Sequence, residues 1–161
     1  MKRFILIAAA MLGLAIAATA QPRAIGGKMG SRFEASYQHT VQNANFVEVT
    51  AGLFGIRSFN TTATYNFMVA QPDWTSKGEW GVYAGPGAAL GYGWYNIDGS
   101  FNTLNVTAVA QVGLEYTFWF PLQLSVDLRP QLGFAIGDGI EFYRDGLLYG
   151  FIPCLSARYR F

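Results

Sequence analysis

The chain has 161 residues, of which 52% are hydrophobic and only 13% charged, the latter about half the roughly 25% usual in soluble domains. A disordered chain needs the opposite balance, and a net charge of +1 leaves no basic footprint for nucleic acid. The length allows one domain.

Lys2 and Arg3 open the chain, residues 4–20 carry no charge, and Ala18-Thr19-Ala20 precedes Gln21. A charged start, an apolar middle and a small-residue site describe a secretory signal peptide cut between Ala20 and Gln21. An N-terminal membrane anchor also needs a long apolar run, but the A-x-A site at the end of this one favours cleavage. No cysteine lies near the site, which argues against a lipid-anchored lipoprotein. The expected division is a signal peptide over 1–20 and an exported domain over 21–161.

The exported part reads as eight strands: 23–29, 32–40, 45–53, 60–70, 79–94, 103–118, 122–136 and 147–161. The first is the weakest, because Gly26 and Gly27 interrupt it. The fifth is long and uncharged enough between 80 and 97 to pass for a membrane helix. Its glycines and Pro86 make a helix costly, at about 1 kcal/mol per glycine and about 3 for proline. As a strand it puts Trp80, Val82, Ala84, Pro86, Ala88, Leu90, Tyr92 and Trp94 on one face and small residues on the other. In the seventh, Leu122, Leu124, Val126, Leu128, Pro130, Leu132, Phe134 and Ile136 alternate with Gln123, Ser125, Asp127, Arg129, Gln131 and Gly133, the strand period. The eighth sets Tyr149, Phe151, Pro153, Leu155, Ala157, Tyr159 and Phe161 opposite Cys154, Ser156, Arg158 and Arg160.

Soluble sandwiches also alternate, but with shorter strands and more charge. Mean soluble strands run about 5–6 residues, whereas membrane strands need roughly 9–11. A sheet in lipid must pair every backbone group and so must close. The expected fold is therefore all-β: an eight-stranded antiparallel up-and-down transmembrane barrel behind a cleavable signal peptide. An even count puts both ends in the periplasm, with periplasmic turns near 42–43, 72–73 and 120–121. Outer loops fall near 30, 56–58, 96–102 and 137–146 and are short. Phe118, Trp119, Phe120, Tyr159 and Phe161 would mark one membrane boundary and Trp94, Tyr95, Phe142 and Tyr143 the other. An aromatic stripe stacking sugars or bases is the alternative.

The inward parity collects Glu34, Glu48, Glu115 and Asp127 with Arg32, Arg129, Arg158 and Arg160. Charge inside a membrane is expensive and often marks a proton or ion path. The alternative is a structural salt-bridge lattice, since eight strands enclose a space that side chains can fill. The lattice reading is preferred, and with it a closed lumen. A hydrolase would need a base. The one histidine, His39, has outward parity with Tyr37, whereas Ser36 and Glu34 point inward, so no triad is expected. Cys154, the one thiol, reads as a small strand residue and offers no internal disulfide. Neither a phosphate loop, a metal-ligand cluster nor a dinucleotide fingerprint is present, so no cofactor is expected.

Three stretches carry a resemblance: EWGVYAGPGAALGYG over 79–93, VGLEYTFWFPLQLSVDLRP over 112–130, and SARYRF over 156–161. Over most of residues 21–161 the chain resembles the small outer-membrane β-barrel proteins of Gram-negative bacteria, the porin-family or OmpX-like group. The resemblance implies outer-membrane lipid as surroundings and the barrel-assembly machinery as a transient partner. Tyr159 and Phe161 would form the assembly signal. It implies little about activity, because the group's biochemical roles are mostly unassigned. The short outer loops and weak first strand depart from the OmpX-like pattern and argue against adhesion through protruding strands. The expected role is a non-enzymatic structural or accessory subunit of an envelope complex. A narrow channel or carrier for small solutes is the alternative, and a lipid-modifying enzyme a third.

Overall fold

The computed structural model describes residues 21–54, 58–93, 102–137, 139–143 and 145–161. The expected signal peptide with its Ala20 cleavage position, and the rim aromatics Trp94 and Tyr95, lie outside the described residues.

Alternating side chains form β1 (Gln21–Met29), β2 (Phe33–Gln42), β3 (Asn45–Phe54), β4 (Ser58–Ala70), β5 (Glu79–Gly93), β6 (Thr103–Thr117), β7 (Leu122–Leu128), β8 (Gln131–Ile136), β9 (Ile140–Tyr143) and β10 (Cys154–Arg160), with a short helix α1 (Asp145–Gly150) before the last. Each strand pairs antiparallel with its neighbours, and β1 closes the sheet against β10. β7 and β8 both pair with β6 and form one interrupted stave. The result is a closed eight-stranded antiparallel barrel.

The strand period sorts the side chains by chemistry. On β7, Gln123, Ser125 and Asp127 are buried while Leu124 and Val126 are exposed. β10 repeats this, with Ser156 and Arg158 buried and Leu155 and Tyr159 exposed. Lys28, Glu48, Asp127 and Arg158 are each 1% exposed, whereas Leu155 is 58%, Phe134 53% and Leu90 51% exposed. This inverts the usual arrangement, in which charged residues are almost never fully buried unless paired.

Three local features depart from the expected strands. The first is longer and paired on both sides, with a bulge between Pro22 and Ala24; Gly26 and Gly27 sit within it and keep the ladder. The seventh is split at Arg129-Pro130. Proline has no N–H to donate, so only its carbonyl joins the ladder, accepting from Ala110 N at 3.1 Å.

The eighth begins at Cys154, not at 147, because 145–150 coil into α1. Arg129 N donates to Gly150 O at 2.9 Å, and a Cβ on Gly150 would lie 2.3 Å from Pro130 Cα. Glycine here permits a contact that any side chain would block.

Turns at 43–44, 71–78 and 118–121 share one end with Phe161, whose N–H donates to Arg23 O at 3.1 Å. Asn43 adopts a φ of 53°, the left-handed conformation that asparagine tolerates. Aromatics gather at this end: Trp80 lies 5.4 Å from Trp74 and 4.7 Å from Tyr116, and Phe118 lies 4.6 Å from Tyr116 and 4.9 Å from Phe120. Of the aromatics expected at the other rim, Phe142 is exposed while Tyr143 is half-buried and lines the lumen mouth.

Candidate functional site: a charged lumen

Every stave sends a polar side chain to the middle of the barrel: Lys28, Ser36, Glu48, Thr64, Tyr83, Gln111, Asp127 and Arg158. Strand stagger brings them level, although of the eight only Glu48 and Thr64 face each other directly in the ladder. Lys28 sits across from Glu34 and Ser156, Glu48 across from Gln38 and Thr64, and Arg158 across from Gly26 and Gln123.

Glu48 is the hub. It accepts from Lys28 Nζ at 3.0 Å, Arg158 Nη2 at 2.5 Å, Ser36 Oγ at 2.6 Å and Gln111 Nε2 at 2.7 Å. Four donors on one carboxylate use the acceptor capacity of both its oxygens. Lys28 also reaches Asp127 Oδ2 at 2.9 Å and so ties two acids together. Asp127 further accepts from Tyr83 Oη at 3.3 Å. Arg158 donates to Ser36 Oγ and Ser125 Oγ, each at 2.8 Å.

Above this layer Arg129 binds Glu34 and donates to Thr50 Oγ1 at 3.0 Å. Below it Arg23 binds Glu115, which also accepts from Gln123 Nε2 at 3.1 Å. Burying an ion is costly unless hydrogen bonds satisfy it, and these ions are satisfied largely by each other. Tyr83 fits because its neighbour across the strand gap is Gly113; a Cβ there would lie 2.5 Å from the ring's Cζ.

The expected lumen residues thus divide by height. Glu34, Glu48, Glu115, Asp127, Arg129 and Arg158 join the buried pairs. Arg32 stands at the mouth away from the termini, 4.0 Å from Glu34. Arg160 pairs with Glu79 at 3.1 Å at the opposite rim, where Glu79 is exposed and Arg160 half-buried. Lys28 and Arg23 are the members that sequence reasoning missed. Their strand was read as weak, yet Lys28 shares the parity of Gly26 two residues earlier, and that parity points inward. Tyr83 corrects the reading of the fifth strand, whose inward face is not made only of small residues.

A chamber of about 140 Å3 lies at the mouth away from the termini and one of about 270 Å3 at the terminus end. Among the described residues none lines both. Between them Tyr83, Lys28, Glu48, Asp127 and Arg158 are each at most 1% exposed.

His39 bonds to Tyr37 Oη at 2.9 Å on the outer wall, whereas Ser36 and Glu34 are buried in the lumen, so the three do not converge. Cys154 is a buried free thiol. Among the described residues no three His, Cys, Asp or Glu side chains could hold a metal ion. Tyr159 and Phe161 stand outside, 55% and 65% exposed, with their rings 5.6 Å apart. Gln21 begins β1. No family model, curated protein or solved structure matches the chain.

Proposed function

We propose that this chain is an integral outer-membrane barrel protein, exported by residues 1–20, whose lumen charges act as an internal brace and not as a catalytic centre. The observation that carries this reading is the inverted distribution: leucines and aromatics outside a closed wall, paired ions inside it. The outward side chains are the surface that hydrocarbon accepts, and a closed wall leaves no backbone edge unpaired in lipid. With membrane lipid around it, the barrel serves as a structural or accessory subunit of an envelope complex. Its insertion would use the barrel-assembly machinery, and nucleic acid is no partner.

Two experiments test this. In detergent, unboiled and boiled protein should migrate differently on a gel; identical mobility would count against a barrel suited to membrane life. Crosslinking in intact outer membranes should recover a reproducible envelope neighbour, and recovery of none would remove the accessory-subunit role.

A second reading, a narrow solute channel, is favoured by the polar chambers at the two ends. It differs in one measurable outcome: the brace gives no discrete conductance steps in planar bilayers, and a channel gives them.

A further inference from the structure

The described inward charges balance almost completely. Lys28, Arg23, Arg129 and Arg158 meet Glu48, Glu115, Glu34 and Asp127 in the interior, and Arg160 meets Glu79 at the rim. The remainder is Arg32. Its one acidic neighbour among the described residues is Glu34, at 4.0 Å from Nε, and Glu34 is already held by Arg129. An arginine left over from a balanced interior places one positive charge in the mouth chamber, which it lines.

Two amide donors face the same chamber. Gly91 on β5 lies between Asn60 on β4 and Asn105 on β6 in the ladder. A Cβ built on Gly91 would sit 3.1 Å from Asn60 Nδ2 and 3.5 Å from Asn105 Nδ2. The missing side chain therefore leaves a hollow with an NH2 group on either side. Asn60 is 8% exposed, and its Oδ1 accepts from Thr62 Oγ1 at 3.1 Å, which leaves its NH2 group for the hollow. Thr107 and Gln131 also line it, Thr107 Oγ1 donating to Gln131 Oε1 at 3.4 Å, and the Tyr149 ring supplies a flat wall. Glu141, also at this end, is exposed and does not line the chamber.

A guanidinium fork flanked by amide NH2 groups suits a phosphate monoester, whose three terminal oxygens can take the fork and both amides together. A chamber of about 140 Å3 is close to the roughly 150 Å3 cavity that admits benzene, so it holds one phosphate and little more. We infer that the lumen mouth away from the termini is a binding site for a phosphate monoester, with Arg32 taking the charge and Asn60 and Asn105 the oxygens above Gly91. The ester's organic part lies toward Tyr149 and the opening. The inference uses the barrel geometry and not its membrane setting.

Calorimetric titration of the refolded barrel in a nonionic detergent tests it with two probes, glucose 1-phosphate and dihexanoylphosphatidic acid. Saturable binding of one ester per barrel is expected. It should weaken about tenfold or more in Arg32→Gln and be unaffected in Arg160→Gln. Binding of the lipid probe alone identifies a headgroup; binding of both identifies a soluble phosphate ester; either supports the site. Gly91→Ala keeps every charge and fills the hollow, so it too should weaken binding, which guards against misfolding of the arginine variant. Absence of saturable binding with either probe, or equal binding by Arg32→Gln and wild type, overturns the proposal.

Discussion

Lys28→Met is the most informative single change to the brace. The side chain is 1% exposed and its Nζ lies 3.0 Å from Glu48 and 2.9 Å from Asp127. At an effective dielectric of about 20, each contact has a gross Coulomb energy near 5 kcal/mol, offset by the cost of desolvating the ammonium. Methionine keeps the length and removes the charge. Glu48 then still has Arg158, Ser36 and Gln111. Asp127 is left with the Tyr83 hydroxyl at 3.3 Å and Arg129 Nε at 3.7 Å.

Removing one partner of a buried pair typically costs about 3–5 kcal/mol because the other charge stays buried, and Asp127 is that charge here. Neutralising it as well, in Lys28→Met with Asp127→Asn, should recover about 2–3 kcal/mol of the loss, a coupling expected of residues in contact. Reversible urea unfolding of the barrel in lipid vesicles, followed by tryptophan fluorescence, measures both. A single variant within about 1 kcal/mol of wild type, or a double variant whose cost is the simple sum, would refute the reasoning.

Other changes follow from the same geometry. Gly113→Ala drives a methyl into the Tyr83 ring and should cost about 1–3 kcal/mol through overpacking. Gly27→Ala, with nothing within 4 Å of its new methyl, should be neutral or stabilise by about 0.4–1 kcal/mol; urea midpoints compare the two. Glu79→Gln breaks a pair exposed at the rim and should change stability by no more than about 1 kcal/mol in the same unfolding assay. Cys154 is buried in the wall beside Gly30, so a bulky maleimide should label it only after unfolding, which mass spectrometry reads directly.

Parity made most of the barrel legible, because a period of two assigns each residue a side without any knowledge of its neighbours. Leu124, Val126, Gln123 and Asp127 took their sides from spacing alone, as did Glu48 and Arg158. Height was read at the strand ends, from turns and rim aromatics, but not among the inward charges. Arg160 has the inward parity of Arg158, yet it sits at the rim with Glu79, because level depends on the stagger between strands and not on one strand's pattern.

Size complementarity across strands was hidden for the same reason. Tyr83 has inward parity, and its ring fits there because β6 offers Gly113 opposite it. The alternation of Tyr149, Phe151 and Pro153 misled outright. Pro130 interrupts the stave that would have paired with them, β8 turns back to pair with β9, and Gly146 and Gly150 let the next residues close as a helix against Gln131 and Pro130. In the mouth chamber, nothing in the sequence set Arg32, Gly91, Asn60 and Asn105 around one space. Four separate strands or turns had to be brought into register first.

The central claim is that lipid covers the outward leucines and aromatics. Spin labels attached singly at Leu124→Cys, Leu132→Cys and Gln123→Cys, in a Cys154→Ser background refolded into vesicles, measure this by collision with dissolved oxygen and with a water-soluble nickel chelate. The account predicts oxygen-rich, chelate-poor surroundings at 124 and 132, and exclusion of both reagents at 123. Free access of the chelate to 124 and 132, or failure of the protein to enter the vesicles, would contradict it.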